Sequence, residues 1–243
     1  MKVVVDHNIF MSFPDPDESL DRESFMYWIH KRPAFAQAHA GRQLSVFTRL
    51  KQLMEIESVI EFFGGVGLGT GIVQKLFQPK IHRVYEIASE CLSHLQEQSF
   101  SSRIMVSYGD AGKTMLEADY ADLMFCDFPL MNPMRLENWR AQLSHVFGLS
   151  PKAIYMNDTS FWSRHLHRER YARPLGKRVL NSDEEYILAY SEKMHSEYGY
   201  SIEASAIHHG ASFLYVKSKE VLTPTIKRIQ KRDAREAMNI WGR

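Results

Sequence analysis

The stretch from Ser58 to Gly71 reads SVIEFFGGVGLGTG, and it decides the fold. Its first six residues are apolar enough for a buried strand, and the glycines that follow interrupt any regular element. A segment with Ile72, Val73 and Leu76 on one side comes next and predicts a helix. A strand, a glycine loop and a helix in succession are typical of the first unit of a parallel sheet covered by helices.

The same alternation continues to about residue 219 and predicts a mostly parallel sheet with helices on both faces. Further apolar runs predict strands over residues 83–87, 104–108, 122–126 and 153–156. A helix is predicted over residues 183–198, because a capping box opens it and Gly199 closes it. Residues 200–207 and 212–216 flank a short turn, so the seven-stranded sheet should end in an antiparallel hairpin.

Composition limits the class of protein. The chain has 243 residues, of which 44% are hydrophobic and 24% are charged, as in a single globular core. Lys plus Arg number 30 against 29 for Asp plus Glu, so the chain as a whole is not an electrostatic binder of nucleic acid or membrane. The two cysteines are too few for a disulfide framework and suit a reducing compartment, so we expect a cytoplasmic protein without a membrane span.

Three segments are predicted along the chain. Residues 1–57 form a mostly helical N-terminal extension, residues 58–219 form the α/β domain, and residues 220–243 form a basic C-terminal helix. Thr223 and Pro224 are expected to open that last helix, since proline is favoured at the first helical position. No internal repeat separates these segments, so the flanks are read as accessories to one domain.

The glycine loop has the composition of a ligand cradle. Its glycines recur at alternate positions, so no GxGxxG register fits, yet they let the backbone pass close to a ligand. The helix that follows offers unpaired amides to a carboxylate or phosphate. Glu86 ends the second strand, where an acidic side chain can accept hydrogen bonds from ribose hydroxyls. Asp110 and Asp127 follow the third and fourth strands, so a nucleotide-like ligand is predicted at this edge.

With these motifs in order, the chain resembles the class I S-adenosylmethionine-dependent methyltransferases, whose Rossmann-like sheet is parallel apart from a final hairpin. EFFGGVG is similar to the first motif of that family in its DLFAGVG form, with Glu61 in the acidic position and Phe63 in place of the first glycine. The resemblance implies S-adenosylmethionine as cofactor. The residues it assigns to cofactor binding are Glu61, Phe63, Gly64, Gly65, Gly67, Gly69, Glu86, Ile87, Asp110, Ala111 and Asp127.

The fourth strand ends in a second motif, residues 126–130 (CDFPL), which resembles a degenerate form of the aspartate, proline, proline, aromatic motif of amino-directed methyltransferases. The resemblance implies catalytic roles for Asp127, Phe128 and Pro129, with Asp127 positioning the acceptor amine. Leu130 stands where that motif has its stacking aromatic. Cys126 as a nucleophile on cytosine is disfavoured, since a cysteine at a strand end is usually buried and inert.

The segment from residue 157 to 181 is basic and aromatic, and it follows the fifth strand at the edge where ligands bind. Arginines there can contact phosphates and aromatic rings can stack on bases, although a solvated, acid-paired loop is the alternative. The predicted substrate-binding residues are Phe161, Trp162, Arg164, Arg168 and Arg170. Histidines in this segment lack carboxylate or cysteine neighbours at ligand spacing, so no metal site is expected.

The sequence therefore predicts a methyltransferase that uses S-adenosylmethionine and acts on a nitrogen of a DNA or RNA base. Two alternatives stay open. One is a methyltransferase of a small molecule or a protein. The other is a protein of methyltransferase fold that has lost catalysis and serves as a binding or structural subunit, which the degenerate CDFPL motif favours.

Overall fold

A computed structural model of the chain describes residues 33–65, 67–86, 89–97, 104–109, 111–129, 136–158, 183–208 and 211–241. These residues form one eight-stranded sheet and seven helices. The strands are β1 (Ser58–Phe62), β2 (Ile81–Glu86), β3 (Ile104–Tyr108), β4 (Leu123–Pro129), β5 (Ala153–Asp158), β6 (Tyr200–Ile207), β7 (Ala211–Lys217) and β8 (Thr225–Arg228). The helices are α1 (Pro33–Leu53), α2 (Leu68–Phe77), α3 (Ser89–Glu97), α4 (Ala111–Glu117), α5 (Leu136–Gly148), α6 (Asp183–Tyr198) and α7 (Lys231–Trp241).

The sheet has the strand order β3-β2-β1-β4-β5-β7-β6-β8. Strands β1 to β5 run parallel to one another, and β7 runs antiparallel to both β5 and β6. The mostly parallel sheet and the closing antiparallel hairpin are therefore confirmed. The chain order reverses between β1 and β4, and ligands of such sheets bind at the carboxyl ends of the strands beside that reversal.

The prediction of seven strands is wrong by one. Thr225–Arg228 pairs in parallel with β6, with Ala204 opposite Thr225 and Ile207 opposite Arg228, so the terminal helix begins at Lys231 and not at Pro224. A four-residue strand with two charged side chains shows no readable alternation of apolar residues. It forms because the β-branched Thr225 and Ile226 suit a strand and the edge of β6 offers unpaired backbone groups.

One face of the sheet is covered by α1, α2 and α7. Phe47 of α1 is fully buried and lies with its ring centroid 5.0 Å from Phe125 and 4.9 Å from Tyr155 on the sheet. Helix α1 also approaches α7 closely, because a Cβ added at Gly41 would come within 3.1 Å of Ala234 Cα. Helix α1, which belongs to the segment predicted as an N-terminal extension, is thus a layer of the core.

The other face is covered by α4, α5 and α6. Met115 of α4, Val146 of α5 and Ile187 of α6 are fully buried against the sheet residues Met124, Ile154 and Phe213. Apolar side chains on both faces explain why the central strands carry nearly continuous apolar runs. The resulting three-layer arrangement brings the loops after β1, β2 and β4 to one edge.

Candidate functional site

The loop that follows β1 has an unusual backbone. Phe63, Gly65 and Gly67 all lie in the left-handed region, with φ of 66°, 53° and 83°. Glycine adopts such angles without steric cost, whereas a bulky residue does so only when its surroundings enforce it. Phe63, which was expected to replace the first glycine of the resembled motif, thus has a backbone conformation that usually favours glycine.

Helix α2 begins directly after this loop with open amides. Gly67 is its N-cap residue and makes no side-chain capping hydrogen bond. The first turn of a helix leaves backbone N–H groups without partners inside the helix, and those groups favour a carboxylate or a phosphate. The loop and the helix start together form a cradle for an anionic or polar group.

Two of the predicted cofactor-binding glycines are required by packing. A Cβ at Gly64 would lie 2.3 Å from Val84 Cγ1, and a Cβ at Gly69 would lie 2.4 Å from Phe125 Cζ. Distances under 3.0 Å are not tolerated by real Cβ atoms. Side chains at both positions are therefore excluded by the sheet beneath, whatever occupies the loop above.

Glu86 at the end of β2 is brought to the loop as predicted. Its Oε2 atom accepts a hydrogen bond of 2.6 Å from the backbone N–H of Gly65, and the residue is 8% exposed. The backbone carbonyl of Glu86 accepts a bond from Gly109 at 3.1 Å. Ala111 begins α4 just beyond Gly109, whereas Ile87 and Asp110 lie outside the described residues.

Glu61 lies beneath the loop and is fully buried. Thr70 of α2 donates a hydrogen bond of 3.0 Å to Oε1, and His82 of β2 approaches Oε2 through Nε2 at 3.0 Å. The side-chain amide of Gln74 donates to His82 Nδ1 at 2.9 Å, so the ring carries its hydrogen on Nε2 and donates to Glu61. Glu61 therefore does not reach a ligand held above the loop, and it can influence such a ligand only by supporting the loop.

Burial controls the charge of this pair. It lowers the pKa of His82 to about 3, so the imidazole is neutral near pH 7. Burial also raises the pKa of Glu61 well above its ordinary value, and the charge of Asp127 adds to this while the hydrogen bond from Thr70 opposes it. The network fastens β1, α2 and β2 to one another under the loop.

Asp127 lies in an irregularity of β4. Cys126 is opposite Met156 of β5, but the next pair along the ladder is Pro129 with Asn157, so residues 127 and 128 form a bulge. Bulges bend a strand and redirect its side chains, and they are common beside functional sites. The side chain of Asp127 is 14% exposed, at the carboxyl edge of the sheet.

Three side chains donate hydrogen bonds to the Asp127 carboxylate. Gln43 Nε2 lies 2.7 Å from Oδ2, and His39 Nε2 lies 3.0 Å from Oδ2 and 2.9 Å from Oδ1. Asn157 Nδ2 donates to Oδ1. Helix α1 thus supplies two of the donors and β5 supplies the third.

A buried arginine stands behind His39. Arg42 is fully buried, its Nη2 lies 3.0 Å from His39 Nδ1, and its Nη1 donates to the backbone carbonyl of His208. Arginine has no acceptor atom, so His39 Nδ1 must accept and the His39 hydrogen lies on Nε2, facing Asp127. Burial lowers the pKa of the Arg42 guanidinium, and the charge of Asp127 acts in the opposite direction.

The hydrogen bonds close into a ring. Arg42 Nε donates to Ser212 Oγ at 3.3 Å, and Ser212 Oγ donates to Asn157 Oδ1 at 2.8 Å. Asn157 then donates to Asp127, which completes the circuit through His39. The hydroxyl of Tyr155 lies 2.8 Å from both Ser212 Oγ and Asn157 Oδ1 and braces the ring from below. We call this set the Asp127 ring.

Sequence reasoning identified Asp127 and missed its partners. His39, Arg42 and Gln43 stand at positions i, i+3 and i+4 of α1, which places them together on one side of the helix. That spacing was a readable signal, because these polar residues interrupt a helix side that is otherwise apolar. Asn157 is the last but one residue of β5, whereas the sequence pattern assigns it to the basic segment that follows the strand.

The remaining predicted residues have different outcomes. Phe128 and Pro129 belong to β4, but their side chains lie outside the described ones, as do Phe161, Trp162, Arg164, Arg168 and Arg170 altogether. Cys126 is fully buried and burial raises the pKa of its thiol, which disfavours a nucleophile. Within the described part of the chain, no group of three or more His, Cys, Asp or Glu side chains is placed to hold a metal ion. Nor does any helix there have the length and apolar character needed to cross a membrane.

Comparison with known proteins supports the fold. No protein-family model and no curated protein sequence matches the chain. Among solved structures, a candidate methyltransferase in complex with the Haloferax volcanii activator Trm112 has a TM-score of 0.55 at 9% identity, over 83% of this chain and 99% of that one. A candidate S-adenosyl-L-methionine-dependent methyltransferase from Methanococcus maripaludis has a TM-score of 0.50 at 12% identity, over 83% and 96% of the two chains.

A third similar structure is magnesium protoporphyrin IX methyltransferase from Synechocystis PCC 6803 with bound SAH, with a TM-score of 0.46 at 16% identity, over 73% of this chain and 84% of that one. The two structures with TM-scores of 0.55 and 0.50 show the fold, which is the Rossmann-like α/β fold of class I methyltransferases.

Proposed function

We propose that this protein is an S-adenosylmethionine-dependent methyltransferase that methylates a nitrogen of a nucleic-acid base. The observation that carries the proposal is the placement of two features side by side. Phe62 is paired with Cys126 across neighbouring strands, so the loop that begins at Phe63 and the carboxylate of Asp127 leave the sheet at the same level. Adjacent strands are about 4.8 Å apart, so a cofactor on the loop and an acceptor at Asp127 would be neighbours.

The residues present fit the cofactor. Its methionine moiety carries a carboxylate, which suits the uncapped start of α2 above Gly67. Its ribose hydroxyls suit Glu86, which already faces the loop through Gly65. The methyl group that the cofactor supplies is electrophilic because it is bound to a sulfonium, so the protein needs no strong nucleophile of its own.

What the protein supplies is alignment. Transfer of a methyl group to nitrogen is an in-line displacement, and its rate depends on holding the nitrogen lone pair toward the methyl carbon. Asp127 accepts a hydrogen bond from the acceptor amine and so sets the direction of that lone pair. The hydrogen bonds from Gln43, His39 and Asn157 hold the carboxylate in place.

A nucleic-acid substrate is supported by the charge along the same edge of the sheet. Strand β8 runs parallel to β6, and β6 runs in the direction of β5, so Arg228 lies at the carboxyl edge with Asp127. Exposed Lys231 and Arg232 follow at the start of α7. Four strand spacings separate β8 from β4, about 19 Å, a distance that a bound strand of nucleic acid can bridge. The arginines at positions 164, 168 and 170 are proposed to extend this basic rim.

A calorimetric titration tests the cofactor first. The purified protein should bind S-adenosylmethionine and S-adenosylhomocysteine with micromolar affinity. Gly65→Arg should abolish binding, because Gly65 has a left-handed backbone beside Glu86. Gly148→Arg is the matched control: it adds the same charge at an exposed helix end where a Cβ meets nothing within 4 Å. Absence of binding by the wild type would refute the proposed function.

Labelled methyl transfer to single-stranded DNA, RNA and protein then tests the substrate class. We expect transfer to nucleic acid, and transfer only to protein would refute that part of the proposal. One observation favours the second candidate, a protein without catalysis: three donors already occupy Asp127. Cofactor binding without transfer to any of the three substrates would support it.

A further inference from the structure

Both oxygens of the Asp127 carboxylate accept hydrogen bonds from neighbouring side chains. A carboxylate has about four acceptor positions. The amides of Gln43 and Asn157 take one each, and His39 lies within hydrogen-bond distance of both oxygens through a single N–H. The described residues therefore leave one acceptor position, on a side chain that is 14% exposed.

The direction of the His39 hydrogen is set from behind. Arg42 can only donate, so its contact of 3.0 Å with Nδ1 leaves Nε2 as the protonated nitrogen. The guanidinium is itself held by Ser212 and by the carbonyl of His208, and full burial prevents it from turning toward water. His39 therefore cannot accept a proton from a substrate on either nitrogen while this arrangement holds.

We infer that His39, held by Arg42, is a positioning residue that orients Asp127 and leaves it one acceptor position for the substrate. This inference rests on the proposed function and deepens it. An acceptor-only group orients a nitrogen that carries hydrogen and repels a ring nitrogen whose lone pair points outward. The single remaining acceptor position therefore suits the exocyclic amino group that the resembled motif already implies, as on adenine or cytosine, and disfavours an unprotonated ring nitrogen.

The chemical step follows from this geometry. The amino nitrogen uses its lone pair to form the N–C bond while the C–S bond breaks, and the electron pair of that bond stays on sulfur. The nitrogen is then positively charged and releases one of its hydrogens to water as a proton. Asp127 accepts a hydrogen bond from the second hydrogen throughout, so the number of protons on the protein does not change.

Nuclear magnetic resonance of the full chain tests the arrangement without a substrate. Protein labelled with ¹⁵N-histidine should show the His39 hydrogen on Nε2 and none on Nδ1, its signals being those lost in His39→Gln. Arg42→Lys should alter the same signals, since one ammonium cannot hold His39, Ser212 and the His208 carbonyl together. A hydrogen on His39 Nδ1 in the wild type would overturn the inference.

Kinetics separates positioning from folding. With polyadenylate and polycytidylate as probes, His39→Ala should lower kcat by about 10- to 100-fold, because it removes a hydrogen bond to a charged group. The affinity for S-adenosylhomocysteine should stay within twofold. His39→Gln should restore part of kcat through its amide donor, and Gln37→Ala, an exposed residue of the same helix, should be neutral.

Two results would contradict the positioning role. One is an equal loss of kcat and cofactor affinity in His39→Ala, which indicates a structural effect. The other is a product methylated at a ring nitrogen, adenine N1 or cytosine N3, identified after nuclease digestion. Failure of the proposed function has a different signature, absence of cofactor binding by the wild type, and the resonance experiment still decides whether the Asp127 ring exists.

Discussion

Gly64 offers a quantitative test of whether a loop glycine serves packing or ligand binding. The family resemblance assigns it to cofactor binding, whereas the structure places Val84 Cγ1 2.3 Å and Leu95 Cδ1 3.2 Å from a Cβ added there. Val84 is fully buried and belongs to the rigid β2 strand. We therefore expect Gly64→Ala to push the loop off the sheet.

The magnitudes follow from the contacts. Overpacking of this kind costs about 1–3 kcal/mol of the free energy of unfolding. Val84→Ala removes two methyl groups and leaves a small cavity, at a cost of about 1.5–2.5 kcal/mol. If Gly64 serves packing, the alanine methyl in the double variant occupies the space that Val84 vacates. The double variant should then be about as stable as Val84→Ala alone.

Urea unfolding at 25 °C measures the free energy of unfolding of the wild type, Gly64→Ala, Val84→Ala and the double variant. Titration with S-adenosylhomocysteine measures ligand binding by the loop in the same four proteins. We expect weakened binding in Gly64→Ala and recovery in the double variant. Gly148→Ala, whose Cβ meets nothing within 4 Å, controls for the substitution itself. Costs that add within about 0.5 kcal/mol, with no recovery of binding, would refute the packing role.

Three further expectations concern titration, reactivity and the carboxylate. Burial lowers the pKa of His82 to about 3, so between about pH 3 and 6.5 only the unfolded chain binds that proton, and the free energy of unfolding should decrease as the pH is lowered through this window. Urea unfolding of His82→Gln should lack this pH dependence, and equal slopes in the variant and the wild type would contradict the expectation. Cys126 is buried with a raised pKa, so a thiol reagent should modify neither cysteine until urea unfolds the protein; rapid native labelling would be inconsistent with the structure. Asp127→Asn replaces one oxygen by a donor that faces the donors of the Asp127 ring, so unfolding free energy should fall by about 1–3 kcal/mol and methyl transfer should be lost; retained transfer would remove Asp127 from the mechanism.

The sequence predicted the layers of the fold because apolar periodicity is a local property. The strand over residues 104–108 and the helix over residues 183–198 have the predicted bounds, since their ends are marked by nearby residues. Strand β8 was not predicted because its four residues, two of them charged, show no apolar periodicity, and because its pairing depends on an open edge of β6.

The candidate site was predicted only in part, for a similar reason. Glu86 and Asp127 were found because both follow apolar runs, and strand ends in parallel sheets meet at one edge. Gly64 and Gly69 look like ligand-binding glycines in sequence. The sequence cannot distinguish a glycine required by the packing of Val84 or Phe125 from a glycine required by a ligand. His39 was missed because it is 88 residues away from Asp127.

The span of the Asp127 ring also bears on when the protein becomes functional during synthesis. Arg42 and Ser212 are 170 residues apart, so the first helix leaves the ribosome long before its last partner strand exists. Chains are made at about 5–20 residues per second, so α1 waits roughly ten to thirty seconds for β7. During that interval β1, β2 and β4 are already available to the glycine loop, whereas the carboxylate of Asp127 lacks the complete ring of hydrogen bonds that holds it. Under the proposed function, a chain released before β7 is made would thus lack the hydrogen bonds that hold the Asp127 carboxylate for its substrate.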